Sequence, residues 1–467
     1  MMRRPVFFLF LSLCAWPLGG CQSYHPAPMD AAALALARQQ RPIDAGAVQA
    51  EQAQIAPAAS YDATHWTRLS LLAALLVHNP DVAVARAAMV TASAQEAAAR
   101  QAPGATLTLS SEYANDPSTH SPWLLGGAID VPLDTGGRRE ARITSAAIGV
   151  AIARYDFADT VWAARMQARR ALADMLVAMR EADAATRLLA FRHQQQAAME
   201  RRLKAGAVAR ADLERVRADV ATAAATADDA RGRTAGARQT LATAIGLPVE
   251  ALATIAFDWA DFDEPAPEPM GAIGDRIGAT VARADILKAI AAYDQAESDL
   301  RGEIAKQYPA ISLSPGYMWE RGLTKLPLSI GLTLPPLDLN RHAIAAAQAK
   351  RAEAGRKLEA VVAAANAALD AAIMECRLAR AALARVRSAD LPIARRLAAQ
   401  ADALLRQGQI DRTDWAAAQG GVPQAELAEW AALARVHTAD AALEDALRRP
   451  LEGPELMLKP GALEPAA

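Results

Sequence analysis

The chain has 467 residues, 22% of them charged and nearly balanced at a net −2, so it carries no basic field of the kind that holds nucleic acid. Apolar residues reach 52% while aromatics reach only 5%, because so much of the apolar share is alanine. Alanine favours helix yet gives up little surface on burial, which points to long helices packed closely side by side and away from one large globular core.

Arg3 and Arg4 precede the apolar run VFFLFLSLCAWPL, and LGGC follows at Leu18 to Cys21. A basic start and a short apolar stretch make a secretory signal, too short for a permanent span. Its ending resembles a bacterial lipobox: residues 1–20 leave as the signal peptide, and Cys21 carries the lipid as the first mature residue. Gln22 after that cysteine, in place of Asp, goes with an outer-membrane destination. Cys14 leaves with the signal, so Cys376 is the one thiol left to pack, and no intramolecular disulfide is expected. No later run approaches the roughly 20 apolar residues of a spanning helix. Any membrane crossing is therefore made of strands.

Residues 21–60, rich in Ala, Pro and Gln, read as an extended, lipidated tether. The first repeat, 61–250, opens with short helices around Asn79-Pro80, Asp81 beginning a helix that stops at Pro103-Gly104. Leu107, Leu109 and Tyr113 then alternate with Thr106, Thr108 and Ser110. After a turn-rich loop, Trp123, Leu125, Ile129, Val131 and Leu133 share one parity, which makes a strand pair with one apolar face. Residues 138–203 hold no proline and allow a helix of about 100 Å. It turns at LKAGAVARADLERV, returns, and ends near AIGLPVEAL.

An acidic, Pro-rich linker, 251–274, leads to a second repeat, 275–450, and a tail, 451–467. Ile311, Leu313, Tyr317 and Trp319 alternate with serines, and Leu326, Leu328, Ile330, Leu332 and Leu334 form the matching strand. Asp81 and Asp285, Tyr113 and Tyr317, and Pro132 and Pro336 each stand 204 apart, the mark of an internal duplication. Leu358, Val362, Ala365, Leu369, Ala372, Cys376, Ala379, Leu383 and Val386 step by four and three, a heptad seam, with Pro392 placed to kink the helix near its end. The second tip reads LRQGQIDRTDWAAA. Gly206 and Gly408 supply the left-handed residue that ends each long helix, and Asp212 and Asp414 follow six positions on.

Four apolar-faced strands cannot bury their own faces in water, and in lipid every backbone polar group must be paired, so the sheet has to close. Closed membrane barrels begin at about eight strands, so closure takes several chains, and three would give twelve. The order of elements, the Pro-rich corners VPLDTGGRR and PLDLNRHA, and the Gly-x5-Asp tips resemble the TolC-like outer-membrane efflux family over about 60–450. The resemblance implies a mixed, mostly α fold: a homotrimeric periplasmic α-helical tunnel continuous with a 12-stranded transmembrane β-barrel in outer-membrane lipid. It also implies the exit duct of a tripartite pump, with a periplasmic adaptor (membrane fusion protein) and an inner-membrane transporter as partners. The corners most resemble the heavy-metal resistance–nodulation–division branch. A competing reading is a lipid-anchored periplasmic coiled-coil adaptor or scaffold, which would carry one hairpin rather than two.

No acid–base or nucleophile set appears, so no enzyme is expected. The seven histidines are scattered outside any metal spacing, and neither metal nor cofactor is expected. Gly136-Gly137 lacks the lysine of a phosphate loop, and a sharp corner accounts for it. In the resembled family, acidic residues of the second tip ring the periplasmic constriction. Asp414 matches the first such position, Ala417 departs from the second, and Asp411 and Asp402 lie close enough to substitute. Both gating and helix capping stand open for Asp414, whereas Asp212 reads as a cap. Arg201, Arg202, Lys204, Arg210, Arg406 and Arg412 cluster at the tips as candidate adaptor-docking residues.

Overall fold

The computed structural model describes residues 23–113, 122–258, 262, 276–320 and 322–459. The signal segment and Cys21 lie outside them. The chain divides into two compact units, 1–41 and 42–467. In the first, α1 (Ala31–Gln39) is capped by the Asp30 carboxylate and has no buried residue.

The second unit runs α2 (Ala45–Ile55), β1 (His65–Trp66), α3 (Arg68–His78), α4 (Pro80–Ala99), β2 (Thr106–Tyr113), β3 (Trp123–Leu133), α5 (Arg138–Lys204) and α6 (Arg210–Ile245). The chain continues with β4 (Ala256–Phe257), α7 (Arg276–Val281), α8 (Ala284–Ala305), β5 (Ala310–Glu320), β6 (Leu323–Lys325), β7 (Leu328–Thr333), α9 (Arg341–Arg385), α10 (Leu391–Arg406) and α11 (Arg412–Leu447). The duplicated plan is therefore present. The expected tether is not extended where it is described. Asp44 caps α2, and Val48 and Ile55 are buried in the main core, since an alanine-rich segment with apolar residues at helical spacing gains more by folding onto α3.

The helix α3 is apolar on all sides and buried on nearly all of them, against α5 and α6. Asn79 makes the break that follows: its Oδ1 accepts from the N–H groups of Asp81 and Val82, while its Nδ2 donates to Ala244 O. Among the described residues no single helix is long and apolar enough to cross a membrane. The 67 residues of α5 span about 100 Å. In α9 the heptad positions from Ala365 to Leu383 that were expected to pack are buried at Ala365, Leu369, Ala372, Cys376, Ala379 and Leu383. Pro392 is placed to kink that helix, and a π turn at Val386–Asp390 stands just before it, where the missing N–H loosens the ladder.

All the longer strands pair antiparallel in the order β2, β3, β5, with β6 and β7 both on the far side of β5. The fourth strand is thus split at Leu326-Pro327. One face of this sheet is bare apolar surface, from Leu109 (77% exposed) to Ile330 (69%), with Tyr113 and Trp123 in edge contact at the hairpin end. The other face carries Thr106, Thr108, Ser110, Ser312, Ser329 and Thr333, and there Ser314 Oγ donates to Asp130. The registers correct the repeat. Thr106 pairs with Asp130 and Ala310 with Thr333, so the offset is 204 for β2 to β5 but 203 for β3 to β7. Pro132 corresponds to Pro335 rather than Pro336, because the second hairpin is one residue shorter.

A buried ion network fastens the ends of the chain to the helices. Arg165 bonds Glu444 (3.1 Å) and Glu455 (2.6 Å), Arg169 bonds Glu444 (3.1 Å) and Glu452 (3.0 Å), and Arg68 lies 3.6 Å from Glu452. Three guanidiniums meet three carboxylates, so no net charge is buried. The described part of the tail is therefore an integral piece of the core. The linker is pinned as well: β4 pairs parallel with β1, and the fully buried Phe262 accepts a bond from His437 Nε2 at 2.8 Å.

Removing one member of such a network leaves a partner charge buried without compensation, at about 3–5 kcal/mol. Glu444→Leu should lower the thermal midpoint of the purified protein strongly. Arg356→Ala, at an exposed pair on one helix face, should leave it in place. An unmoved midpoint for Glu444→Leu would contradict this role.

Burial, aided by Arg169, holds the His437 pKa below its ordinary 6.5, against the pull of the Phe262 carbonyl, Glu452 and Asp440. A depressed folded pKa means that proton uptake favours the unfolded chain, so stability should fall as pH drops below about 6.5. His437→Asn should flatten the midpoint-against-pH curve between about pH 7 and 5.5. A wild-type slope retained in full would show that other groups carry it.

Candidate functional site

Both tips are built by the same helix-ending device. At the first, Gly206 has φ +73°, Gly206 N donates to Leu203 O and Ala207 N to Arg202 O, each at 2.9 Å. At the second, Gly408 has φ +68°, with Gly408 N to Leu405 O at 3.0 Å and Gln409 N to Leu404 O at 2.9 Å. This is the Schellman pattern, in which one left-handed residue lets two N–H groups satisfy the last carbonyls. No atom stands within 4 Å of where a Cβ would be at either glycine, so the demand there is conformational only.

The return helices are capped differently from what the sequence suggested. Asp411 is the N-cap of α11, its Oδ1 accepting from Thr413 N (2.7 Å) and Asp414 N (3.0 Å). Asp414 is the third residue of that helix and caps nothing. Asp212, likewise third in α6, is not the N-cap either, but its Oδ2 reaches back to Ala209 N at 3.3 Å. The cap falls to Asp411 because its side chain, not that of Asp414, precedes the first turn and can reach the free N–H groups.

The three candidate gate carboxylates occupy three environments. Asp411 forms an ion pair with Arg202, which joins the first helical hairpin to the second. Partial burial raises its pKa, but the N–H groups of Asp414 and Thr413 together with Arg202 outweigh that and hold it below the ordinary carboxylate value. Asp402 accepts from Trp415 Nε1 (2.6 Å) and Gln419 Nε2 (2.9 Å), which locks α10 to α11. Asp414 is exposed on the wall of a groove of about 570 Å³, beside Ile393, Leu397, Leu404 and Ile410. Of the proposed docking residues, Arg201, Lys204, Arg210, Arg406 and Arg412 are exposed, and among the described residues none of these five forms an ion pair. Arg202 is half-buried in its bond to Asp411. Trp415, its ring 6.1 Å from Phe191 in an edge contact, was not singled out in the sequence, although an indole beside a tip aspartate was the available signal.

The corners carry a second cluster missed by sequence reading. Gly136 and Gly137 have φ +71° and +81°, and their counterparts Leu339 and Asn340 have +52° and +59°. Directly after the first corner, Arg138 Nε donates to Ala305 O, Arg139 Nη2 to Arg100 O, and Arg142 to Ala99 O and Gln101 O. These are last-turn or just-following carbonyls of α4 and α8, beyond the i to i+4 ladder, and Ala305 O also accepts from Tyr308 N at 3.3 Å. The basic run after the corner thus seals the two helices that lead into strands. In the second copy Asn340 Nδ2 adds a bond at 2.9 Å to Glu303 O, which also accepts from Lys306 N at 3.3 Å.

Among the described residues no group of three or more His, Cys, Asp and Glu is placed to hold a metal ion.

Several solved structures share this fold. The outer membrane protein VceC of Vibrio cholerae superposes with a TM-score of 0.67 at 17% identity, covering 82% of this chain and 97% of its own. The outer-membrane channel OprN gives 0.69 at 21%, covering 92% and 99%. The open state of the Neisseria gonorrhoeae MtrE channel gives 0.65 at 18%, covering 82% and 89%. At these identities the likeness concerns the fold. No curated protein sequence matches the chain. Its own sequence, however, matches the outer membrane efflux protein family over residues 71–247 and 279–447, and the chain belongs to that family.

Valine at a left-handed position costs on the order of 1–2 kcal/mol. Gly408→Val should therefore disturb the second tip locally, lowering export while leaving the circular-dichroism spectrum and assembly intact. Normal export by this variant would separate the tip turn from function.

Proposed function

We propose that the protein is the exit duct of a tripartite efflux pump: a homotrimer whose twelve strands close a barrel in the outer membrane and whose helices form a periplasmic tunnel. The observation that carries this is the sheet of four strand positions, with one bare apolar face and two unpaired edges. Its Leu, Ile, Val, Trp and Tyr side chains, many of them about half exposed, each forgo part of the roughly 1.5–3 kcal/mol of full burial, and about ten of them together are comparable to the 5–15 kcal/mol stability of an ordinary domain. Lipid removes that cost on the face, and closure removes it at the edges. Acylation of Cys21 would tether each chain to the same membrane. The adaptor or scaffold reading is not favoured, since an adaptor has no use for two hairpins and a sheet of this kind.

Within this reading the second tip is the gate. Three-fold symmetry would bring three copies of Asp414 around the narrowest part, attracting cations. Arg202–Asp411 would act as a latch between hairpins, and the exposed Arg201, Lys204, Arg210, Arg406 and Arg412 would meet the periplasmic adaptor that links the duct to an inner-membrane transporter. The cargo is a heavy-metal cation or a drug, with the corner wording supporting the former. Selection would rest mainly with the transporter, because the duct is wide and water-filled.

Planar-bilayer recording tests the gate. Asp414→Asn should reduce cation preference. Asp411→Asn should raise the open fraction; a half-exposed ion pair is worth at most about 1 kcal/mol, or some fivefold per latch. Asp212→Asn should do neither. Equal effects from all three, or none, would place the gate elsewhere.

A further inference from the structure

We infer that β7 of one chain pairs antiparallel with β2 of a second copy in one register: Thr333 opposite Ser110, Leu334 opposite Leu109, and Ile330 opposite Tyr113. This rests on the closed-barrel reading above and supplies what that reading lacks, the residues of the seam.

The occupant of the edge is identified by the duplication. The chain already makes one junction between its repeats, where β3 of the first pairs with β5 of the second, Val131 opposite Leu313 and Gly127 opposite Tyr317. Closing a ring needs the reciprocal junction, from the last strand of the second repeat to the first strand of another first repeat. The internal registers convert one into the other. Moving β3 forward by 203 and β5 back by 204, the offsets set by the two hairpins, carries Val131–Leu313 to Leu334–Leu109. It also carries Gly127–Tyr317 to Ile330–Tyr113.

The chemistry at the derived seam agrees with the operation. On the polar face Asp130 and Ser314 are hydrogen-bonded within the chain, and their counterparts Thr333 and Ser110 are two hydroxyls that can bond each other. On the other face Leu334–Leu109 and Ile330–Tyr113 are apolar, with Leu332 between them opposite the small Ser111. A slip of one residue would turn Leu334 to the polar face against Ser110, so the pattern penalises it. The proline beyond β7 is no obstacle: Pro335 corresponds to Pro132, which already sits opposite Ser312 inside the sheet. The same operation applied to the helices takes the Ser145–Asp299 bond (2.8 Å) to Gln348 and Gln95. Both glutamines are exposed in the single chain, and an amide both donates and accepts.

The test is cysteine cross-linking of the full-length protein in detergent, in a Cys376→Ser parent. Directly opposed residues have Cα atoms about 4.5–5.5 Å apart, within disulfide reach, whereas diagonal neighbours lie about 7–8 Å apart. Within one chain β2 and β7 are separated by two strands, so a bond between them joins two molecules. Ser110→Cys with Thr333→Cys should yield covalent dimers and trimers on a non-reducing gel, and so should Gln95→Cys with Gln348→Cys. Thr108→Cys with Thr333→Cys, a slip of two, should stay near the background of the parent. A parent that is trimeric by light scattering but cross-links best through the 108–333 pair, or through no pair, overturns this register and leaves the barrel standing. A monomeric parent overturns the barrel, and the seam with it.

Discussion

A β-sheet cannot leave its edges unpaired in a place without water, and everything in this chain follows from that constraint. The sheet carries an apolar face that only lipid or a protein core tolerates, while among the described residues its two outer strands each have one side to which no strand is paired. Four strand positions are too few to close on themselves. On the proposed reading further copies of the chain complete the sheet, and the repeat-to-repeat junction inside the chain is the pattern for the one between chains.

The two ends of the helical part are held by forces of different size. Around Arg165, Arg169 and Glu444, six buried charges and a close-packed core tie α2, α3, the last helix and the described C-terminal segment into one piece. At the tips the ties between hairpins are a half-exposed ion pair and an aromatic edge contact. Exposed ion pairs contribute little, and salt weakens them further. A wall rigid at its middle and lightly latched at its far end is suited to opening there without disturbing the sheet. Asp411, the latch proposed above, also caps α11, so loss of the ion pair alone would leave the helix start in place.

Periodicity made most of the fold legible in the sequence. The proline-free run from 138, the heptad seam through Cys376 and the alternation at Leu107 and Leu109 each report backbone geometry directly. The tip glycines were legible because only a left-handed residue ends a helix in that way. What escaped is what depends on contacts distant in sequence. Arg202 looked like a surface cation until Asp411, 209 positions on, stood beside it. Asp414 and Asp411 could not be told apart as caps, since a shift of one turn decides which side chain reaches the free N–H groups. The arginines after Gly137 looked like a basic run, and their role exists only because α4 and α8 end beside them. The helix Ala45–Ile55 was hidden by its composition, which suits a tether until a core is present to receive Val48.

Cryo-electron microscopy of the full-length protein in lipid nanodiscs tests this account most directly. It should show a ring of three chains, each giving four strand positions to a closed wall inside the disc, with the long helices projecting from one side. A single chain with an open sheet, or a ring whose sheet lies outside the lipid, would contradict it.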